Sequence, residues 1–284
     1  MKHYLNLTKP RISFLFAFTG LTALVMEGNL GARSFQFWMI GLAIFLVGGS
    51  ANSFNQFFER EVDARMARTA KKRPLPLGLV SPRGAFIFSV MIGLIGLGIL
   101  CAYESFLAFG LGLATILFYS FYYTLWLKPR TPYNIVIGGA AGATGPLIAW
   151  ACVSNQLWGI PLVMFLIIFF WTPPHFWSLA LCCKEDYKEV GYPMLPLVKG
   201  DEETRKQILY YSYSLLPLSL SLYFLKGMGN IYLITSFILG FLFILGALKI
   251  RKNPTIKAYW QFFGYSIVYL FLLFTVMIVD VIWG

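Results

Sequence analysis

Charge is scarce in this chain of 284 residues: Asp, Glu, Lys and Arg together make up 12% of it, whereas hydrophobic residues make up 58%. Mean hydropathy is +0.69. That balance excludes an ordinary soluble domain, in which about a quarter of the residues are charged. Cysteine is also sparse. Cys101, Cys152, Cys182 and Cys183 show no ligand spacing and lie in or beside apolar runs, so neither a structural metal site nor a disulfide framework organises the chain. No internal repeat is strong enough to define an architecture.

What is abundant is uninterrupted apolar sequence. Stretches long enough to cross a bilayer, about 17–25 residues, fall near 12–27, 37–57, 85–103, 104–122, 134–152, 158–182, 208–226, 229–248 and 258–282. The expected fold is all-α: a polytopic membrane protein of nine transmembrane helices, one domain over 1–284, bundled around a central cavity open to the cytoplasmic side. The third and fourth spans meet at Tyr103–Glu104 with almost nothing between them. The first begins behind three cations, as a signal sequence would, but leads into a chain that keeps crossing and reads as an uncleaved helix.

The net charge of +11 raises the question of nucleic acid, and its distribution answers it. With the N-terminus cytoplasmic and nine alternating crossings, the cytoplasmic segments 1–11, 58–84, 123–133, 183–207 and 249–257 hold 21 of the 23 Lys and Arg. Only Arg33 and Lys226 fall elsewhere. Such a partition follows the positive-inside rule, so basic charge reports topology first. It places the C-terminus on the opposite side, a bacterial inner membrane being the expected setting. Nine of the twelve acids share the cytoplasmic side, which topology does not explain, because acids contribute little to orientation. A working face is expected there.

One stretch concentrates that chemistry: NSFNQFFEREVDARMARTAKKRPLP, residues 52–76. Asn55, Glu59 and Asp63 recur every fourth position, which on a helix keeps them within ~80° of one another and ~6 Å apart per step. Two carboxylates in a column repel unless a cation lies between them, and one or two carboxylates suit a magnesium ion that also holds substrate phosphates. Arg68, Lys71, Lys72 and Arg73 follow at once, on a loop too long for a simple turn. A magnesium diphosphate site is one reading, a solvated helix end with a basic loop the other. Glu61 points away from the column.

Elsewhere, Tyr119, Tyr122, Tyr123 and Thr124 read as an interfacial aromatic belt. Lys128 and Arg130 stand between prolines in a stiff cationic turn, after which Asn134 can cap a helix. The fifth span is glycine-rich (Gly138, Gly139, Gly142, Gly145), for tight packing or close backbone approach to a ligand. In the sixth, Pro173 and Pro174 are expected to kink or break the helix, with His175 beside them as a pocket residue or a packed one. If helix resumes, Asp186 lies ~16 Å along the axis from His175 at nearly the same azimuth, giving a second acid near Lys184 and Lys188. Two acidic clusters with cations, facing an apolar and aromatic interior, suit a diphosphate head on a long hydrocarbon tail. The expected chemistry is prenyl transfer: charge on the leaving diphosphate is stabilised, the allylic cation is sheltered by aromatic faces, and water is kept out until the acceptor attacks.

These segments resemble the membrane-embedded prenyltransferases of the UbiA type, and within them the haem-modifying branch. Besides residues 52–76, the similarity is carried by LTKPRI (7–12), LKPRTPYNIVIGG (127–139), WTPPHFWSLAL (171–181) and DYKEVGYPMLP (186–196), in the same order. It covers roughly residues 5–200. The resemblance implies that Asn55, Glu59 and Asp63 hold Mg2+ and the head of farnesyl diphosphate. It makes Arg68, Lys72, Arg73, Lys128 and Arg130 phosphate contacts, with Asp186 as a further metal ligand and Lys184 beside it. His175 would stand near the porphyrin. It implies haem b as acceptor, membrane lipid as surroundings, and a downstream haem A synthase or a second copy of the chain as partner. Glu59 stands where the pattern has Asp, Gly145 where it has Pro, and Cys182 where related enzymes place another carboxylate. Two other readings stay open: a sister enzyme prenylating an aromatic quinone precursor, and a transporter with a broken helix at its substrate site.

Overall fold

The computed structural model describes residues 1–103, 105–225 and 227–283, and the described residues are almost entirely helical. A short amphipathic α1 (Lys2–Leu7) leads through Lys9 into α2 (Pro10–Glu27), where Pro10 takes the first helical turn. The next crossing, α3 (Phe35–Phe58), is capped by the Ser34 hydroxyl, which accepts the Phe37 N–H at 3.1 Å. It passes at Glu59 into the short α4 (Arg60–Arg65) and α5 (Ala67–Ala70). Ser81 caps α6 (Pro82–Ala102) in the same way, and Ser105 caps α7 (Phe106–Leu117). The expected boundary between the third and fourth spans falls partly on Glu104, which, like Lys226, lies outside the described residues.

From Phe118 to Leu127 the fourth crossing continues as a π-helix, a form that clusters at functional sites. The fifth is split at Thr144 into α8 (Asn134–Ala143) and α9 (Gly145–Ser154). Asn134 opens α8 rather than capping it, its amide donating to the Thr131 carbonyl at 2.6 Å. Close packing accounts for Gly138, Gly139 and Gly145, whereas a Cβ on Gly142 would meet nothing within 4 Å. A Cβ on Gly138 would lie 2.3 Å from the Tyr123 ring, one on Gly139 2.9 Å from Thr172, and one on Gly145 2.8 Å from the Phe16 carbonyl. The last contact explains why Gly145 cannot be exchanged for a bulkier residue while α2 keeps its place.

The sixth crossing, α10 (Ile160–Cys182), runs unbroken through Pro173 and Pro174. Of the expected kink or break, the break does not occur: the prolines do not end the helix. They withdraw the N–H groups that would have reached the carbonyls of Phe169 and Phe170, and packing against α13, α15 and α8 holds the rest. The helix ends instead at Cys182, capped by Cys183 and followed by α11 (Lys184–Glu189) and α12 (Leu195–Val198), so the phase relation between His175 and Asp186 is lost. The bundle closes with α13 (Gly200–Phe224), α14 (Asn230–Lys252) and α15 (Ile256–Trp283).

Among the described residues, eight helical segments are long and apolar enough to cross a membrane. The remaining expected crossing corresponds to α13, which is 25 residues long but begins GDEETRKQ and falls short in apolar character. Rows of large apolar residues such as Leu94, Ile234, Phe237 and Phe271 are exposed on the outside of the bundle, where lipid would cover them. Inside, Ile40, Ile44, Val47, Trp177 and Phe274 are buried in one continuous core.

Candidate active site

At the end of α3 the expected column forms. The Glu59 N–H donates to the Asn55 carbonyl at 2.9 Å and the Asp63 N–H to the Glu59 carbonyl at 2.7 Å, so the four-residue spacing survives the change from α3 to α4. All three side chains are buried, at 2%, 3% and 2% exposure for Asn55, Glu59 and Asp63. Buried charge persists only when paired, and here cations arrive from three parts of the chain. Arg73 pairs with Asp63 and lies 3.7 Å from Glu59 through the same nitrogen. Lys128 pairs with Glu59 and sits 4.8 Å over the Tyr192 ring. Lys9 donates to the Asn55 Oδ1 at 2.8 Å, while the Asn55 amide donates to Thr124 at 3.2 Å. Tyr192 completes the ring, its hydroxyl donating to Glu59 at 3.3 Å.

The charges set one another's protonation. Burial works to raise the Glu59 carboxyl, but Lys128 and Arg73 outweigh it and hold the group below its ordinary range. Asp63 goes the other way: burial and the neighbouring Glu59 anion raise it against the pull of Arg73. Burial and the nearby Arg73 guanidinium lower the Lys9 ammonium well below its usual value. Burial, then the Glu59 carboxylate, push the Tyr192 phenol up.

The other predicted residues are distributed unevenly. Asp186, on α11, accepts the backbone N–H of Arg68 at 3.2 Å, which ties the second acid to the loop of the first motif. Its carboxylate does not join Glu59 and Asp63: among the described residues no three acidic, His or Cys side chains converge as a metal cage. Arg68 is half-buried with its Nε lacking a partner, and Lys72 is exposed on the same loop. Lys184 is engaged by Asp201 at 2.7 Å. Arg130 is turned away, donating to the Trp126 carbonyl at 2.8 Å and stacked 5.6 Å from that ring. His175 is sandwiched between Trp171 and Phe263, at ring-centroid distances of 4.4 and 4.5 Å, with Nδ1 2.7 Å from the Ser266 hydroxyl.

Lys9, Thr124 and Tyr192 belong to the cluster although the sequence gives none of them a site role, Thr124 reading there only as part of the aromatic belt. Each lies in or beside a segment that stood out: LTKPRI, the tyrosines before LKPR, and DYKEVGYPMLP. One signal for Lys9 is visible only in the backbone, where it adopts φ +50°, rare for a residue other than glycine and a mark of strain at functional positions. The oxygen donors fit a hard divalent cation. Two carboxylates face one cationic nitrogen and an amide oxygen adjoins, which is the partial set that magnesium completes with substrate phosphate and water.

The molecule is thus a helical membrane bundle with a buried, charge-compensated oxygen cluster at the end of one crossing, an arrangement suited to an anionic head on an apolar chain. It belongs to the UbiA prenyltransferase family, whose model matches residues 13–275. Its relatives include a protein of Symbiobacterium thermophilum named protoheme IX farnesyltransferase, 42% identical over 99% of this chain and 94% of the relative. Another of that name, from Roseiflexus sp., is 40% identical over 99% of this chain, which spans only 52% of that longer protein. In three dimensions the fold is similar to that of a digeranylgeranylglyceryl phosphate synthase (TM-score 0.81, 21% identity, 99% of this chain and 98% of the other). It is also similar to a UbiA homologue from Archaeoglobus fulgidus bound to DMAPP and Mg2+ (TM-score 0.70, 18% identity, 96% and 99%). The chain is an integral, multi-pass membrane protein.

Proposed function

We propose that this chain is a haem O synthase: it transfers the farnesyl group of farnesyl diphosphate to a vinyl group of haem b and releases diphosphate. The farnesyl C1–O bond breaks with its electron pair leaving on diphosphate. The vinyl π electrons form the new C–C bond, and water adds to the remaining vinyl carbon with loss of a proton, giving a hydroxyethyl-farnesyl side chain. The observation that carries this reading is the buried cluster of Asn55, Glu59 and Asp63 under Lys9, Arg73 and Lys128, in a chain 42% identical to a protein named protoheme IX farnesyltransferase.

Glu59, Asp63 and the Asn55 oxygen would hold Mg2+, with Asp186 at the edge of the site. The ion would neutralise charge on the departing diphosphate. Arg73 and Lys128, which compensate the acids here, are placed to turn to the phosphate oxygens. Arg68, with a buried Nε lacking a partner, and Lys72 extend the cationic surface along the loop. Lys184 and Arg130 are engaged elsewhere and need rotamer changes to reach a phosphate. The Tyr119–Tyr123 pair, stacked at 5.2 Å on the π-helix, offers faces that can shelter a cation. His175, whose Nδ1 is committed to Ser266, would stand near the porphyrin. The chain acts as one domain with its N-terminus and charged end cytoplasmic and α13 counted as a ninth crossing, the bundle enclosing the farnesyl tail in a cavity that opens on that side. The test is direct: purified protein receives farnesyl diphosphate and Mg2+ with either haem b or hydroxybenzoate, and the acceptor's mass is followed. Gain on hydroxybenzoate alone would assign a quinone-precursor enzyme instead.

A further inference from the structure

A cavity of about 590 Å³ lies beside the second acid, walled by Lys184 and Asp186 on one side and by Asp201, Arg205, Ile256 and Tyr259 on the other. Its volume falls within the range of small-molecule sites. Arg205 is its unexplained member. Its neighbours are paired, Asp201 with Lys184 at 2.7 Å and Lys206 with Glu202 at 3.3 Å. Arg205 itself has no carboxylate within 4.0 Å among the described residues. Its Nη1 donates to the Tyr259 hydroxyl at 3.0 Å, and its Nε is buried without any hydrogen-bond partner. The Nε–H and the Nη2–H lie on one edge of the planar guanidinium, the fork that takes a carboxylate side-on. A buried, unsatisfied donor on a charged group is rare in native structures and calls for a partner.

The opposite wall supplies the orientation. Asp186 accepts the Arg68 N–H, so the cavity abuts the loop that carries the cations of the first motif. A haem b acceptor carries its two propionates on one half of the porphyrin and its vinyl groups on the other. We infer that Arg205, held by Tyr259, anchors an acceptor propionate in this cavity, which turns the vinyl-bearing half toward Asp186 and the diphosphate cluster. The side chain turns slightly to present its covered Nε. This assignment rests on haem b being the acceptor.

The test uses the full chain in uncharged detergent, titrated with haem b and with its dimethyl ester by the Soret band, and assayed with farnesyl diphosphate. Wild type should bind haem b about tenfold tighter than the ester, the scale of one charge-assisted contact. Arg205→Gln should erase that preference and raise KM for haem b while KM for farnesyl diphosphate holds, and Arg205→Lys should restore part of it. Equal farnesylation and binding of acid and ester by wild type, or a preference that survives Arg205→Gln, would overturn the anchor while leaving the haem reading intact. A rise confined to KM for farnesyl diphosphate would assign the cavity to diphosphate. Loss only of binding to phosphatidylglycerol added to the detergent-solubilised chain would assign it to lipid; both outcomes count against the anchor. Wild type that farnesylates neither form would remove the haem reading, and the anchor with it.

Discussion

The two acidic regions of this protein solve the same electrostatic problem in opposite ways. Around Glu59 and Asp63 the carboxylates are buried and matched by Arg73 and Lys128, with Lys9 on the adjoining Asn55. Around Asp186 the groups are half-exposed, the pairing of Lys184 with Asp201 is open to solvent, and the acid's own hydrogen bond comes from a backbone N–H. A buried, compensated cluster is pre-organised and intolerant of losing one member, because the partner left behind is an unpaired charge in an apolar surrounding. An open one is adaptable and loses little, since water and salt screen it. On the function proposed above, charge building at a fixed point belongs in the first and reception of a bulky acceptor in the second.

Removing divalent cations should give the largest effect: chelation takes farnesyl transfer to background, and added Mg2+ restores it, as read by product mass. Asp63→Asn comes next, with turnover falling at least about a hundredfold while the protein still binds haem in the Soret titration. Arg73→Ala should destabilise the fold by ~3 kcal/mol, because Asp63 and Glu59 lose their shared cation. The thermal midpoint in detergent should then become dependent on Mg2+, a divalent ion binding the folded state and taking over the charge. If the midpoint ignores Mg2+, the acids do not share a cation site and the contrast between the two regions fails. Asp186→Asn should cost about tenfold in turnover with little change in midpoint. The smallest effect, within about twofold, is expected for Arg130→Ala, whose guanidinium is occupied by the Trp126 carbonyl and ring. A loss there as large as at Asp63 would show that the turn after the π-helix swings into the site.

Several differences between expectation and structure have one cause. Pro173 and Pro174 read locally as a kink or a break, yet α10 continues through them without a break because neighbouring helices hold it on several sides. The helix ends nine residues on from Pro173, at Cys182, where no proline signals it, and this separates Asp186 from the phase of His175. His175 is packed between Trp171 and Phe263, and Phe263 lies 88 positions away in the sequence on α15. Lys9, Thr124 and Tyr192 meet Asn55 and Glu59 from 46, 69 and 133 residues away.

The local code was sufficient wherever a run of neighbouring residues carries the property. Apolar runs set the crossings, serine and proline set their starts, and a four-residue repeat set the column of Asn55, Glu59 and Asp63, because helical geometry converts spacing directly into a shared face. Which cations complete that column, which way Arg130 turns and where the second acid stands were decided by contacts between distant segments. Burial of a charge can be satisfied by any cation that the fold brings within reach, so the partners become visible only once the helices are packed.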